Sequence, residues 1–281
     1  MTALPSFLRL RRMQPNALLG GILMLVLGLT ALTGLLWTPY DPLKINILQR
    51  LAGPSAAHWL GTDEFGRDVL SRLLAGAATS VWISLLTVTC AVTTGTLFGL
   101  SAGFLRGWPD RIIMACNDAV LAFPGILLAL GLLSVLGASK YGIILALSLA
   151  YMPSVVRVVR GAVLSLRERE FVEASRVMGN SELYTMLRHV LPNCTAPLIV
   201  LATSMFGWVL LSESALSFLG LGVPPPAPTW GNMLAASRPY IGQAVWLGIL
   251  PGLCISLTLL GANLLGDALR DHLDPRLRGL K

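Results

Sequence analysis

FVEASRVMGNSELYTMLRHVLPN, residues 171–193, is a polar stretch set between apolar spans. It reads as two short helices. Residues 168–178 form the first, with Phe171, Ala174, Val177 and Met178 near one side. Gly179 is placed to stop it, because glycine adopts the left-handed conformation that ends helices. Asn180 or Ser181 suits the cap of the next turn. Leu183, Met186, Leu187 and Val190 then recur at helical spacing. Pro192 disfavours helical geometry at Leu191 and is expected to close the element. Periodicity alone fits an amphipathic loop lying on a membrane surface equally well.

The surrounding chain explains why such a stretch is unusual. Of 281 residues, 54% are apolar and 12% charged. Soluble domains carry about 25% charged residues. A chain this poor in charge lacks the polar surface to stay dissolved, so a multi-spanning membrane protein is expected. The net charge of +7 then records basic cytoplasmic loops rather than a nucleic-acid partner. Cys90, Cys116, Cys194 and Cys254 lie in or beside apolar spans and form no CxxC pair. They read as small buried hydrophobes.

Hydropathy predicts six transmembrane helices, near residues 17–37, 77–103, 112–136, 141–156, 195–219 and 242–265. Arg9, Arg11 and Arg12 precede the first, as in a signal peptide. The run is too long for a signal h-region and no small-x-small site follows, so a retained helix is expected. Six spans put both termini on one side. That side holds fifteen of the 21 Lys and Arg, which places it in the cytoplasm. The segment 157–192 is then cytoplasmic, and the loops 38–76, 137–140 and 220–241 are extracytoplasmic. Gly95, Gly99 and Gly103 share one face of the second span, a ridge that lets another backbone approach closely. Packing inside the subunit and contact with a second membrane subunit are both consistent with it.

Little points to catalysis. No GxxxxGK[ST] phosphate loop is present, and Lys44, Lys140 and Lys281 are the only lysines. His58, His189 and His272 fall in different loops on both sides of the membrane, so no Ser/His/Asp triad is expected. His58 and Asp63 share a loop but do not make a metal-ligand set, and no metal site is predicted. Two carboxylates lie within spans, Asp118 and Glu213. Ionisable groups there cost roughly 2.5–3.5 kcal/mol at mid-span, so both are candidates for lining a water-filled path. Outside, GLGVPPPAPTWG (220–231) holds three consecutive prolines, an extended run. Pro225 and Trp230 are the candidates there for docking an extracytoplasmic protein, with Trp230 expected at headgroup level.

The polar stretch resembles the EAA loop of ABC importer permeases, whose pattern is EAA, three residues, G, nine residues, I, one residue, LP. Glu173, Ala174, Gly179, Leu191 and Pro192 fall in register; Ser175 replaces the second alanine and His189 the isoleucine. The strings HWLGTDEFGRDVLSRL (58–73), AFPGILLAL (122–130), LSFLGLG (216–222), TWGNML (229–234) and NLLGDALRDHLDPRL (263–277) are similar to the dipeptide, oligopeptide and nickel branch, in that branch's order. The resemblance, to a C-type membrane subunit, implies an all-α, six-helix type I importer fold with both termini in the cytoplasm of a bacterium, and a multi-pass place in its plasma (inner) membrane. Residues 1–76 would carry the tail, first helix and outer loop, and 77–281 a five-helix permease core.

It further implies a coupling helix near residues 170–179 that seats in a groove of an ATPase subunit. Phe171, Ala174 and Met178 would fill the groove, Glu173 and Arg176 would form its charged rim, and Ser175, Gly179, Leu191 and Pro192 would complete the loop. ATP and Mg would then bind two partner subunits, with no cofactor on this chain. A second homologous permease subunit and an extracytoplasmic substrate-binding protein complete the expected assembly. Short peptides are the expected cargo, with nickel or a metal chelate as the rival. An ion-coupled secondary transporter is the alternative class; it calls for ionisable residues at mid-span and repeated halves, and neither is evident.

Overall fold

The computed structural model describes residues 15–273. The tails 1–14 and 274–281, with Arg9, Arg11, Arg12, Lys281 and the end of the last family string, lie outside the described residues. Within them the chain is helical, apart from turns and one isolated bridge between Thr62 and Asp68.

Eleven α-helices follow in order. They are α1 Pro15–Leu36, α2 Val69–Leu105, α3 Gly107–Leu121, α4 Gly125–Leu136, α5 Lys140–Leu166, α6 Glu170–Val177, α7 Glu182–Thr185, α8 Leu191–Asn193, α9 Thr195–Phe218, α10 Trp230–Ala236 and α11 Trp246–Leu273. Five are long and apolar enough to cross a membrane, and six spans result if α3 and α4 count as one broken span. The chain is thus an all-α, multi-spanning membrane protein.

The central pair is α2 and α5. A Cβ at Gly95, Gly99 or Gly103 would lie 2.6, 2.7 and 2.8 Å from the Cβ of Val155, Val159 and Val163 respectively. The glycine ridge is therefore used within the subunit, and each glycine receives one valine of a matching four-residue repeat. This also explains a difference at the end of α5. The apolar run was expected to stop at Val156, where Arg157 and Arg160 begin; the helix continues to Leu166 because its valine row still has ridge to pack on. At 1.5 Å per residue α2 is about 55 Å long and α5 about 40 Å. Both exceed a hydrocarbon core of about 30 Å and must project from it.

The expected third span, 112–136, is not one helix. It breaks between Leu121 and Gly125, where α3 and α4 meet at 90°. Pro124 is the cause: its ring fixes φ at −55°, its ψ of 127° is extended, and it supplies no N–H to continue α3. Hydropathy could not register this, because the break carries no charge. The sixth span also starts later, as Trp246–Leu273, with turns over 241–243 before it.

In the loop before α2 a polar clasp fixes the entry to that helix. Asp68 caps it, accepting from the Ser71 N–H at 2.8 Å and the Ser71 hydroxyl at 2.7 Å. His58 Nδ1 lies 2.9 Å from Asp68 Oδ1 and His58 Nε2 lies 2.9 Å from Gln49 Oε1, so both ring nitrogens are engaged. Asp63 pairs with Arg67 at 2.7 Å and Arg72 at 3.3 Å. The string 58–73 is thus a structural knot. Helix α10 packs among α2, α9 and α11.

Candidate functional site

The site is the polar connection between α5 and α9. Helix α6 begins with Glu170 and Glu173 in its first turn, where carboxylates favour the positive end of the helix. It ends on a Schellman motif. The Asn180 N–H donates to Ser175 O at 3.2 Å, the Gly179 N–H donates to Arg176 O at 2.9 Å, and Gly179 has φ +80°. The expected stop at Gly179 is therefore present.

Two side chains lock α6 in place. Val172 is fully buried and joins the apolar core that also contains Val155, Val163 and Val190. Ser175 is fully buried, with its hydroxyl 2.9 Å from that of Thr185 on α7 and accepting from Asn180 Nδ2 at 3.2 Å. A serine in place of the family's second alanine thus becomes a bolt between the two short helices. Thr185 was not anticipated, since a threonine at that position leaves no signal until its partner is known.

Phe171, Glu173 and Ala174 on α6 and Met178 at its end are all exposed. Val177 is 82% exposed, more than Met178 at 71%, although the expected contact set omits it. Leu183, Tyr184 and Leu187 extend the same apolar patch onto the following turns. An apolar surface of this kind on a polar segment marks an interaction site.

Arg176 departs from expectation. Rather than standing at the rim, it turns back to Glu182 at 3.2 Å and lies over the Phe104 ring, 5.6 Å from its centroid. Arg167 donates to Phe104 O at 2.5 Å. Burial holds the Arg167 guanidinium below its ordinary pKa, and the nearby Arg106 and Arg176 add like-charge repulsion. These arginines tie the loop to the end of α2.

Leu191 and Pro192 also differ. Leu191 is helical at φ −55° and ψ −45°, and α8 includes Pro192 instead of ending before it. The segment Met186–Val190 is a π-turn, which accommodates the proline's missing N–H and lets the chain run on towards α9. Leu191 packs on the core, while Pro192 is exposed. These two residues form a joint, not part of the exposed patch.

The other candidates separate. Asp118 on α3 is half-exposed and pairs with Arg157 on α5 at 2.8 Å. Glu213 is 1% exposed and accepts from Ser217 at 3.0 Å and Thr229 at 3.1 Å, so it lines no open path here and instead joins α9 to the cap of α10. Trp230 is 3% exposed and its indole N–H donates to Leu73 O at 3.0 Å. It is a buried anchor, not a headgroup-level or docking residue, because α10 packs among α2, α9 and α11. Pro225 is exposed. Among the described residues no group of three or more His, Cys, Asp or Glu side chains is arranged to hold a metal ion.

Residues 95–279 match the family described as binding-protein-dependent transport system inner membrane component. The chain is 42% identical over 260 residues to a putative peptide transport system permease protein of Brucella suis, covering 92% of this chain and 88% of that one. It is 45% identical over 267 residues to the di/tripeptide transport system permease protein DppC of Pseudomonas aeruginosa, covering 92% and 88%. It is 40% identical over 266 residues to the glutathione transport system permease protein GsiD of Pectobacterium atrosepticum, covering 94% and 88%. Among solved structures, the MetNI methionine ABC transporter in inward-facing conformations superposes with a TM-score of 0.54 at 18% identity, over 70% of this chain and 96% of that one. That likeness speaks to the fold alone. The fold and the match define a membrane subunit of the ABC importer class. The chain belongs to the family of binding-protein-dependent transport system inner membrane components.

Proposed function

We propose that this subunit forms half of the translocation pathway of an ATP-driven importer of short peptides. One observation carries the coupling half of that reading: α6 is held rigidly by Val172 and the Ser175–Thr185 bond, yet presents Phe171, Ala174, Val177 and Met178 outward. A rigid knob with an apolar tip transmits force where a loose loop would not. Phe171, Ala174, Met178 and Val177 would seat in a groove of the ATPase, Glu173 would meet its rim, Ser175, Arg176 and Gly179 would hold the knob's shape, and Leu191 and Pro192 would carry its motion into α9.

In this reading two ATP-binding subunits hold ATP and Mg, and a second permease subunit supplies the other half of the path. An extracytoplasmic binding protein delivers cargo, with exposed Pro225 on the face it approaches. Both termini are cytoplasmic, and residues 77–281 are the permease core. The relatives' names support peptides over nickel.

The test is uptake of a labelled dipeptide into vesicles holding this permease with the proteins that co-purify with it. Uptake should require ATP and be stopped by vanadate. Glu173→Lys should abolish it while the protein still inserts. Uptake driven by an ion gradient without ATP would refute the reading and favour a secondary transporter.

A further inference from the structure

The 90° bend between α3 and α4 leaves backbone groups unpaired. Pro124 gives α4 no side-chain cap, and the first bond back to the bend runs from the Leu128 N–H to the Pro124 carbonyl at 3.0 Å. The N–H groups of Gly125, Ile126 and Leu127 therefore open α4 with no partner among the described residues. The carbonyls of Leu121, Ala122 and Phe123 leave α3 in the same condition. Residues 122–127 are all exposed, Phe123 at 62% and Leu127 at 58%, so the rest of the described chain does not cover the bend.

The bend lies near mid-membrane. A Cβ at Gly125 would be 3.8 Å from the Ala150 Cβ. Ala150 comes ten residues after Lys140, the charged start of α5, and so about 15 Å along that helix. The hydrocarbon core is about 30 Å thick. Tyr151, the next residue of α5, brings polar groups to the same depth. Its hydroxyl is 2.8 Å from the Ser212 hydroxyl and donates to the Trp208 carbonyl at 3.2 Å, both on α9, and α4 touches α5 and α9 alike. Lipid tails supply neither donors nor acceptors, so open backbone at this depth is found only inside protein or against a water-filled cavity. A helix of a second subunit laid over the bend would have its own backbone already paired and would leave these groups open. Water bonds donors and carbonyls side by side in any orientation.

We infer that this bend, with Phe123, Pro124 and Gly125 at its tip and Tyr151 and Ser212 beside it, is the wall of the water-filled pathway at mid-membrane, an inference that rests on the importer reading above. The wet face of the subunit is then the one built by α3, α4, α5 and α9. Helix α1, which packs on α2 and α11 and exposes Leu25, Leu29 and Leu32, faces lipid. The break at Pro124 thereby has a use: it opens main-chain polar groups to water inside a span that carries no charge at that depth.

The test uses vesicles holding this permease with the proteins that co-purify with it, without ATP. In the unmodified protein, backbone amides 125–127 should exchange with deuterium at least tenfold faster than those in the middle of α1. Independently, Phe123→Cys and Leu127→Cys should react with a permanently charged thiosulfonate at least tenfold faster than Leu25→Cys, which is 63% exposed at the middle of α1. The unmodified chain sets the background from its native cysteines. Amides 125–127 protected as strongly as those of α1 would overturn the inference, whether lipid or a second subunit shields them. Thiols at 123 and 127 that react no faster than at 25 would overturn it as well. The exchange measurement needs no substitution, so a variant that fails to fold does not remove the test. Fast exchange in an importer that takes up no dipeptide when ATP is added would leave the wet wall standing and overturn the importer reading instead.

Discussion

Gly179 separates two reasons for which α6, as the proposed coupling helix, would need a glycine. Its φ is +80°, and a Cβ built there meets nothing within 4 Å in this chain. The whole intramolecular cost of a side chain is therefore backbone conformation. For a residue such as alanine the left-handed region costs roughly 1–2 kcal/mol, while asparagine visits it routinely. That range corresponds to about a 5–30-fold loss of the conformation that closes the Schellman motif. The expected order of uptake in reconstituted vesicles is thus Gly179, then Asn, then Ala, then Val. Gly179→Asn should stay within a few-fold of the native protein, and Gly179→Val should fall furthest. Co-purification of the ATPase with each variant, from membranes with equal permease content, controls for assembly. If Gly179→Asn is as damaging as Gly179→Val, the reasoning fails: the glycine would then be needed for close approach by the partner, not for the turn.

Three further outcomes follow from the packing. Ser175→Ala strands the buried Thr185 hydroxyl and should cost about 1–3 kcal/mol of local order, whereas Ser175→Ala with Thr185→Val should recover much of the lost uptake; failure of the double variant to exceed the single one would count against the bolt. Gly99→Ala places its Cβ 2.7 Å from Val159 Cβ and 2.9 Å from Val156 O. It should lower thermal stability in detergent by about 1–3 kcal/mol, and Val159→Ala should not rescue it, because neither offending atom is removed. Glu213→Gln keeps an oxygen for Ser217 and Thr229 and replaces a carboxylate oxygen that has no partner. Stability and uptake should therefore be retained or improved, and a loss of uptake at normal assembly would restore Glu213 to the pathway.

Much of this molecule was legible in the sequence, and the failures have physical causes. Long uncharged runs marked the spans because lipid penalises charge residue by residue. Gly179 marked the end of α6 because its conformation is written in one residue. What escaped was relational. The break at Pro124 is apolar, so hydropathy runs straight through it. The extension of α5 past Arg157 depends on the glycine ridge of α2, which lies about sixty residues away in sequence. Trp230 read as amphipathic, but its N–H meets a helix carbonyl at Leu73. Arg176 read as a rim charge until Phe104 and Glu182 claimed it. Ser175 passed as a small-for-small exchange, and only the fold shows that its hydroxyl has a partner.

If α6 is the coupling helix proposed above, the same contacts would carry a push on it to the far end of α9. Helix α6 is tied to α7 by Ser175 and Thr185, and α7 runs through the π-turn and α8 towards α9 with only the turn at Cys194 between. Cys194 is buried in the same apolar core as Val172 and Val190, so that turn is packed rather than free. At its other end α9 carries Glu213, whose carboxylate holds the hydroxyl of Thr229, the cap of α10. Helix α10 is seated on α2 through Trp230. A displacement of α6 therefore has a stiff lever in α9 and a hydrogen-bonded grip at the lever's end. The ridge between α2 and α5 has no slack for a methyl group, and in the proposed coupling it would be the fixed frame against which that lever moves. The proposed coupling would need a part that moves as one piece and a part that cannot yield, and in this chain different helices would supply them.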